Sequence, residues 1–199
     1  RAQAARDKSV QEIVRSGLPD RGVESLFQDD RGRIWVATSG QAGYLENDRF
    51  ASIPGASGRN IRGIAEDSAA DLWVNDQERG LLMVSGREVT RISWAALGRK
   101  DFATALAANR AEGGLGLGFW DGGVVHFKDG RLRARYGVAD GLGAGRVNSF
   151  ALDRDGTLWA ATESGLSRLR GGHVSTLSGQ NGLPCDAVRW VIEDDAGSF

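Results

Sequence analysis

A short phrase recurs through this chain and constrains its fold more than any other feature. In its clearest copies a Gly-containing turn leads into an apolar run with Trp at a fixed place, and these residues are Trp35, Trp73 and Trp159. Gly permits the positive φ of a tight turn, and a run such as Ile-Trp-Val suits a pleated, buried strand. The sequence therefore predicts a turn-and-strand unit that is used several times.

The spacing of the phrase indicates the architecture. Trp73 follows Trp35 by 38 residues, a degenerate copy with Leu117 in the Trp place follows 44 residues later, and Trp159 comes 42 residues after that. A period near forty residues with strand signals and no helical pattern is typical of β-propeller blades. We therefore expect an all-β fold, a β-propeller of four-stranded antiparallel blades that must stack to bury their faces.

The repeats divide the chain into four full blades and part of a fifth. The full blades are predicted at residues 17–57, 58–97, 98–139 and 140–180, and the partial blade combines residues 8–16 with residues 181–199. The partial blade contains an outer strand in its first piece and an innermost strand, Val188 to Glu193, in its second. We therefore interpret residues 1–199 as a single propeller region, a fragment of a larger propeller.

Charge and composition make several partner classes improbable. The net charge is −1, and neither sign is collected into a run. Nucleic acids and anionic membranes normally select a basic patch, so we expect neither as a partner. The single Cys185 excludes an internal disulfide framework. No apolar run approaches the ~20 residues that cross a bilayer, so any membrane anchor is expected outside this sequence.

The aligned repeat also has a family resemblance. Its consensus is Gly-Leu-Pro, then Val-x-x-Leu-x-x-Asp-x-x-Gly-x-Leu-Trp-Val-Ala-Thr, then Gly-Leu, and it is strongest at residues 29–38 and 148–169. This pattern resembles the two-component regulator propeller repeat. In that family such blades form the extracytoplasmic sensing part of membrane proteins that end in a histidine kinase, a diguanylate cyclase or another output domain.

The resemblance implies a non-catalytic, periplasmic sensor region without a cofactor. The motif residues form the fold, so the resemblance transfers no ligand site. The expected partner is an unknown small molecule or glycan, or a protein, and a homodimer is possible. Membrane attachment would come only through parts outside this chain.

Three motifs invite chemical interpretations that the pattern does not favour. Asp153-Arg154-Asp155-Gly156 is similar to the start of a calcium loop, but it lacks the downstream Glu and fits an Asx turn. The Gly-rich run at residues 113–123 has no phosphate-loop spacing and fits a degenerate blade. His126 and His173 are predicted on third and fourth strands, with no converging metal ligands.

Loop length predicts where a ligand would bind. In antiparallel four-stranded blades the short turns share one face, and the longer connections at residues 54–60, 76–79, 119–122, 140–146 and 181–187 share the other. Variable loops on a rigid scaffold usually carry binding residues. The candidates, on that face or beside the channel at the starts of innermost strands, are Arg59, Arg62, Arg79, Trp120, Asp121, Arg146, Asn148, Arg189 and Trp190.

Different functions stay open at this point. An aromatic side chain among hydrogen-bonding groups suits a sugar or an aromatic ligand, although packing between blades and solvated charge explain the same residues. A propeller enzyme, such as a lyase or a metal-dependent hydrolase, would need His and carboxylates near the channel. A protein-interaction scaffold of the WD-repeat kind would need Trp-Asp endings, whereas Val or Ala follows Trp35, Trp73 and Trp159.

Overall fold

The fold is built almost entirely from short strands joined by tight turns. A computed structural model describes residues 22–29, 31–47, 49–58, 60–86, 88–109, 113–194 and 196–197. The strands are β1 (Val23–Gln28), β2 (Ile34–Thr38), β3 (Gln41–Glu46), β4 (Arg49–Ser57), β5 (Ile61–Glu66), β6 (Leu72–Asp76), β7 (Gly80–Ser85), β8 (Glu88–Ile92), β9 (Ala103–Ala108), β10 (Leu115–Phe119), β11 (Val124–Lys128), β12 (Arg131–Tyr136), β13 (Val147–Leu152), β14 (Leu158–Thr162), β15 (Gly165–Arg170) and β16 (His173–Leu177). Short 3₁₀ helices at Trp94–Leu97, Val138–Asp140 and Gly179–Asn181 follow the fourth strands of the second, third and fourth blades.

The strands form four antiparallel sheets, each with its strands in chain order. The sheets are β1-β2-β3-β4, β5-β6-β7-β8, β9-β10-β11-β12 and β13-β14-β15-β16. Consecutive sheets pack through their first strands, β1 against β5, β5 against β9 and β9 against β13. The predicted β-propeller of four-stranded blades is confirmed, and the third repeat is a regular blade.

Apolar side chains from neighbouring blades form the cores. Trp35 packs with Ile61 and Leu72 of the second blade, and Trp73 packs with Leu115 and Phe127 of the third. Trp73 meets Phe127 edge-to-face, with ring centroids 5.7 Å apart. The predicted role of the repeated Trp in the core between blades is therefore confirmed at these positions. Trp159 is partly buried and packs against the cluster formed by Ala161, Leu166 and Val191.

An aspartate in the turn before the second strand fixes each of these Trp residues. Asp29 Oδ1 accepts the backbone N–H groups of Arg31 and Arg33 at 3.0 and 2.8 Å, and its Oδ2 accepts the Trp35 indole N–H at 3.0 Å. Asp67 and Asp153 bind the Trp73 and Trp159 indoles in the same way, at 2.7 and 2.9 Å. The interpretation of Asp153 as an Asx turn is confirmed, because its Oδ1 accepts two backbone N–H groups.

These hydrogen bonds also set the ionisation of the turn carboxylates. Burial by itself would raise the pKa of Asp29, but hydrogen bonds from Arg33, Trp35 and Arg31 outweigh it and hold the pKa below its ordinary value. The pKa of Asp153 is lowered in the same sense, again against burial, by Trp159 and the backbone of the turn. Both carboxylates are therefore stabilised in the charged form by the folded turn.

In the third blade, the residue that corresponds to the repeated Trp is not the one that the sequence predicted. Trp35 lies opposite Phe27 and Tyr44, and the residue in the same register of the third blade is Gly116, opposite Ala107 and His126. Leu117, to which the sequence assigned this place, is one position further along. The error arose because glycine leaves no hydrophobic signal, so the neighbouring leucine was taken as the degenerate residue.

The segment after the fourth blade differs from its prediction. Val188 to Glu193 was expected to be an innermost strand, but it belongs to none of the four sheets. Instead, the Val188 N–H donates to the Thr162 carbonyl at 2.9 Å, and the Asn148 amide donates to the Val188 carbonyl at 2.8 Å. The segment has no strand assignment because no strand among the described residues pairs with it. The outer strand predicted at residues 8–16 lies outside the described residues.

Candidate functional site

Each innermost strand carries a β-bulge at the same position. The register of the pairing between first and second strands shifts between Val23 and Ser25, between Ile61 and Gly63, between Ala103 and Ala105, and between Val147 and Ser149. The bulged residues are Glu24, Arg62, Thr104 and Asn148. Bulges are a common means of redirecting a side chain, and here the four blades contribute one polar bulged residue each.

The bulged residues surround one cavity. It has a volume of about 450 Å³, within the range of roughly 300 to 1,000 Å³ that is usual for small-molecule sites. All four innermost strands contribute to its wall, which consists of Val23, Glu24, Ser25, Leu26, Arg62, Gly63, Ile64, Thr104, Ala105, Leu106, Asn148, Ser149, Phe150 and Trp190. We call this space the channel cavity.

The bulged side chains also link neighbouring blades. Arg62 forms an ion pair with Glu24 of the first blade. The Thr104 hydroxyl donates to the Val147 carbonyl of the fourth blade at 2.6 Å, and Asn148 reaches Val188 as described above. A ligand that contacts this polar layer would therefore touch groups that hold adjacent blades together.

Trp190 gives the channel cavity a surface on which a ligand can bind. Ser149 is also a wall residue, but its hydroxyl is buried and does not face the cavity. Trp190 is 75% exposed, so a large aromatic surface is accessible at the wall. Hydroxyl, amide and charged groups beside an indole provide both hydrogen bonds and a stacking surface. This combination suits an amphipathic ligand that carries hydroxyl groups.

The structure brings three of the predicted site residues together in this cavity. They are Arg62, Asn148 and Trp190. The other described candidates, Trp120, Asp121, Arg146, Arg189 and Arg79, are not among the residues of its wall. Arg59 lies outside the described residues.

Trp120 and Arg146 join the third and fourth blades. The Arg146 guanidinium carbon lies 4.2 Å from the centroid of the Trp120 ring, and the centroids of Trp120 and Phe102 are 5.5 Å apart. Arg146 also donates to Glu163 Oε1 at 3.1 Å. At these two residues the structure therefore shows the packing between blades that the sequence offered as the alternative to ligand binding.

Glu163 interacts with both Arg146 and the charge of Arg189, which lies in the segment after the fourth blade. The backbone N–H and side chain of Arg146 lower the pKa of Glu163, and the charge of Arg189 adds to the effect. Arg189 is the residue after Val188, which is bound to the end of β14. The positive charge of Arg189, one of the predicted site residues, therefore acts on the Glu163 carboxylate.

Asp121 and Arg79 lie in connections between second and third strands. The Asp121 N–H donates to Asp101 Oδ2 at 2.8 Å, and Asp101 accepts two hydrogen bonds from Arg99 at 2.7 Å each. The Arg79 N–H donates to Asp76 Oδ1 at 3.1 Å. Both side chains are exposed, and the contacts described here involve their backbone groups.

Two of the bulged residues, Glu24 and Thr104, were not among the predicted site residues. The signal was present in the repeat, because the bulged residue is the one that follows the first apolar residue of each innermost strand, as in Val23-Glu24 and Val147-Asn148. A bulge inserts an extra residue, so the simple alternation of inward and outward side chains fails there.

The two histidines lie away from the innermost strands, as predicted. His126 is on β11 and His173 is on β16. Within the described ranges, no group of three or more His, Cys, Asp or Glu side chains is placed to hold a metal ion. None of the helices in that part of the chain is long and apolar enough to cross a bilayer.

Comparison with solved structures identifies the same fold in proteins of different activity. The extracellular domain of a one-component system from B. thetaiotaomicron matches with a TM-score of 0.69 and 17% identity, over 94% of this chain and 29% of that one. The extracellular domain of a hybrid two-component system from the same organism matches with a TM-score of 0.55 and 19% identity, over 92% of this chain and 32% of that one.

An enzyme shares the fold as well. Virginiamycin B lyase from Staphylococcus aureus matches with a TM-score of 0.68 and 14% identity, over 85% of this chain and 58% of that one. The chain thus spans about a third of the two sensor-system structures and less than two thirds of the lyase. Because the sequence identities are this low, the structural similarity shows that the chain has a propeller fold and does not indicate an activity.

The sequence itself matches one family. No curated protein matches it. The family model of the two component regulator propeller matches residues 17–40 and 141–164, which include the turn and Trp strand of the first blade and those of the fourth. The resemblance predicted from the repeat is therefore confirmed. Two segments of this chain match the two component regulator propeller repeat, and they lie in the first and fourth blades of the β-propeller.

Proposed function

We propose that this region is the extracytoplasmic sensor part of a signal-transduction protein and that its ligand binds in the channel cavity. The observation that carries the proposal is the layer of polar bulged residues, one from each blade, around a cavity of about 450 Å³. Two of the structural neighbours are extracellular domains of signalling systems, and the repeats belong to a regulator propeller family. These findings support the location and the sensing role.

The wall of the channel cavity favours a neutral ligand with several hydroxyl groups, such as a small glycan. Its charged residues are Glu24 and Arg62, which neutralise one another. Asn148 supplies a polar group, and Trp190 supplies a face on which the C–H groups of a sugar ring can stack. An anionic or cationic ligand would have to break the Arg62–Glu24 pair.

Signalling would follow from a population shift. A ligand that contacts several innermost strands binds one arrangement of neighbouring blades more tightly than another, and this difference in affinity biases the equilibrium between them. Because Arg62 and Thr104 already bridge blades and Asn148 binds the segment after the fourth blade, ligand binding at this layer would change the contacts that set the arrangement. An output domain attached to the propeller would read the change. The proposal assigns no catalysis to this region.

The test is a binding screen with neutral mono- to tetrasaccharides, followed by isothermal titration of any hit. Trp190→Ala should weaken binding by about tenfold or more, because it removes the stacking surface. Trp120→Phe is the matched control, since Trp120 is also exposed but is not among the residues of the channel wall. A saccharide that binds equally well to wild type and Trp190→Ala would contradict the assigned site. Failure of the whole panel to bind would reject the glycan assignment.

A further inference from the structure

Another cavity lies on the long-connection face, beside the third blade. Its volume is about 310 Å³, at the lower end of the range of roughly 300 to 1,000 Å³ that is usual for small-molecule sites. Residues of two long connections, at 119–122 and 140–146, contribute to its wall. We call this space the loop cavity. Its wall shares no residue with the wall of the channel cavity, so binding here does not depend on the proposed sensor function. Its larger side chains are Arg99, Asp121, Arg135, Tyr136, Val138 and Asp140.

One side of the loop cavity is fixed by Arg99. Its Nε and Nη2 atoms each donate to the Asp101 carboxylate at 2.7 Å, and Nη2 also donates to the Gly122 carbonyl at 2.9 Å. The guanidinium carbon lies 4.3 Å from the centroid of the Phe119 ring. The Asp101 carboxylate also accepts the Asp121 N–H at 2.8 Å. Arg99 and Asp101 therefore neutralise one another and hold the backbone of the connection that carries Asp121.

Two wall residues of opposite charge remain without an ion pair. Arg135 Nη2 donates to the Leu97 carbonyl at 2.9 Å, which uses one of the five N–H donors of a guanidinium. Among the described residues, the Asp121 carboxylate has no ion-pair or hydrogen-bond partner, and Arg135 has no ion-pair partner. Both side chains are exposed. The loop cavity therefore offers a ligand one positive group and one negative group that are not paired with each other.

The charges of the wall favour neither a simple anion nor a simple cation. An anion bound to Arg135 would face the carboxylates of Asp121 and Asp140. A cation bound to those carboxylates would face the two arginines. Like charges brought together in a binding site lower the affinity. A zwitterion avoids both penalties, because each of its charges can lie beside a group of the opposite sign.

An apolar surface lies beside these charged groups. Tyr136 is half-buried and Val138 is 65% exposed, so both can contact a ligand in the loop cavity. We propose that the loop cavity binds an α-amino acid with an apolar side chain. The α-carboxylate would accept hydrogen bonds from Arg135, and the α-ammonium group would donate to the Asp121 carboxylate. The side chain of the ligand would pack on Tyr136 and Val138.

The test is isothermal titration of the whole chain with L-leucine, L-methionine and L-phenylalanine. We expect saturable binding of at least one of them, with a Kd at or below about 1 mM. The matched ligands are analogues of the amino acid that binds, one without the carboxylate and one without the ammonium group. For leucine they are isoamylamine and 4-methylpentanoate. Each analogue should bind about tenfold or more weakly, because one charged hydrogen-bonded contact is lost.

Variants test the two charged residues separately. Arg135→Gln and Asp121→Asn should each weaken binding of the amino acid about tenfold or more. Asp121→Asn keeps the test decisive if Arg135→Gln fails to fold, because the Asp121 side chain is exposed and makes no contact that holds the fold. Arg133→Gln is the matched control. It removes the same charge from the same strand, but Arg133 pairs with Asp129 and is not a wall residue, so the affinity should be unchanged.

Chemical-shift mapping of the wild-type protein locates the bound amino acid. We expect ¹H–¹⁵N shifts concentrated at the wall glycines, which are Gly122, Gly123, Gly137, Gly143 and Gly145. Shifts concentrated at Ser25, Ala105 and Ser149 would place the ligand in the channel cavity instead and would overturn the proposal.

Three titration results would also overturn the proposal. The first is the absence of saturable binding of all three amino acids. The second is equal binding of the amino acid and both of its analogues. The third is an Arg133→Gln variant that loses as much affinity as Arg135→Gln and Asp121→Asn.

Discussion

At the scale of single residues, the turn aspartates stabilise both the turn and the Trp that follows it. Asp29, Asp67 and Asp153 each close a turn with one oxygen and hold a Trp with the other. The Trp in turn packs between blades, so one side chain connects local turn geometry with the core. The six-residue separation of Asp and Trp is visible in the sequence, but the sequence analysis assigned Asp153 to the turn alone.

Replacing one of these aspartates should cost more stability than replacing its neighbour. Asp153→Ala removes two backbone hydrogen bonds and leaves the Trp159 indole N–H without its acceptor, so we expect a loss of about 1 to 3 kcal/mol in the free energy of unfolding. Asp155→Ala, in the same turn but largely exposed, should cost less than about 0.5 kcal/mol. Urea unfolding of the two variants measures the difference, and equal losses would contradict the assigned role.

The same carboxylates should make stability depend on pH in the acid range. The pKa values of Asp29 and Asp153 are lower in the folded than in the unfolded state, so the unfolded state takes up protons first as the pH falls. Their contribution is therefore complete well above the unfolded pKa of about 4 and is lost as the pH falls through the folded values.

Urea midpoints at pH 7, 5 and 3 test this dependence. The double variant Asp29→Asn, Asp153→Asn should be less stable than wild type at pH 7 and should lose less stability between pH 5 and pH 3. If the double variant and wild type lose the same amount of stability over that interval, these aspartates do not carry the dependence.

At the scale of strands and turns, most of the fold was predictable and its irregularities were not. Alternating apolar runs and Gly-containing turns located the strands of all four blades, because periodicity and turn chemistry are local properties. The bulges at Glu24, Arg62, Thr104 and Asn148 were not anticipated, since a bulge depends on pairing with a second strand. The third blade was registered one residue too far, at Leu117 instead of Gly116, because glycine leaves no hydrophobic signal.

Glycine is required where a third strand begins beside the end of the fourth. Gly165 has a φ of +147°, and a Cβ there would overlap the Leu177 carbonyl oxygen. Gly165→Ala should therefore destabilise the protein by about 2 kcal/mol or more. Gly137→Ala is the control, because Gly137 has a φ of −133° and the nearest atom to a Cβ would be 4.0 Å away. Thermal unfolding should leave that variant within about 0.5 kcal/mol of wild type, and similar losses in both would count against the strain at Gly165.

At the scale of the whole molecule, stacking of blades determines both stability and the proposed site. The contact of Arg146 with Trp120 and Glu163 shows how a side chain between blades contributes to their stacking.

The candidate site was predictable only in part. Residue type singled out Arg62, Asn148 and Trp190 but gave no means of separating them from Trp120 and Arg146. That separation depends on how the blades are placed around the channel, which is a long-range property of the packing.

The contact between the third and fourth blades can be weakened at Arg146. Arg146→Ala should cost about 1 kcal/mol, because it removes the cation–π contact with Trp120 between blades. Arg133→Ala removes an exposed ion pair within one hairpin and should cost less than about 0.5 kcal/mol. Chemical denaturation of the two variants compares them, and an Arg146 variant as stable as the Arg133 variant would show that the contact adds nothing to blade stacking.

The central claim is that one ligand contacts the polar bulged layer of several blades. Isothermal titration of a saccharide found in the screen against Glu24→Ala, Arg62→Ala and Asn148→Ala tests it most directly, because these residues come from three different blades. We predict one binding site per chain and a loss of affinity of about fivefold or more in each variant. Unchanged affinity in all three variants would contradict the claim.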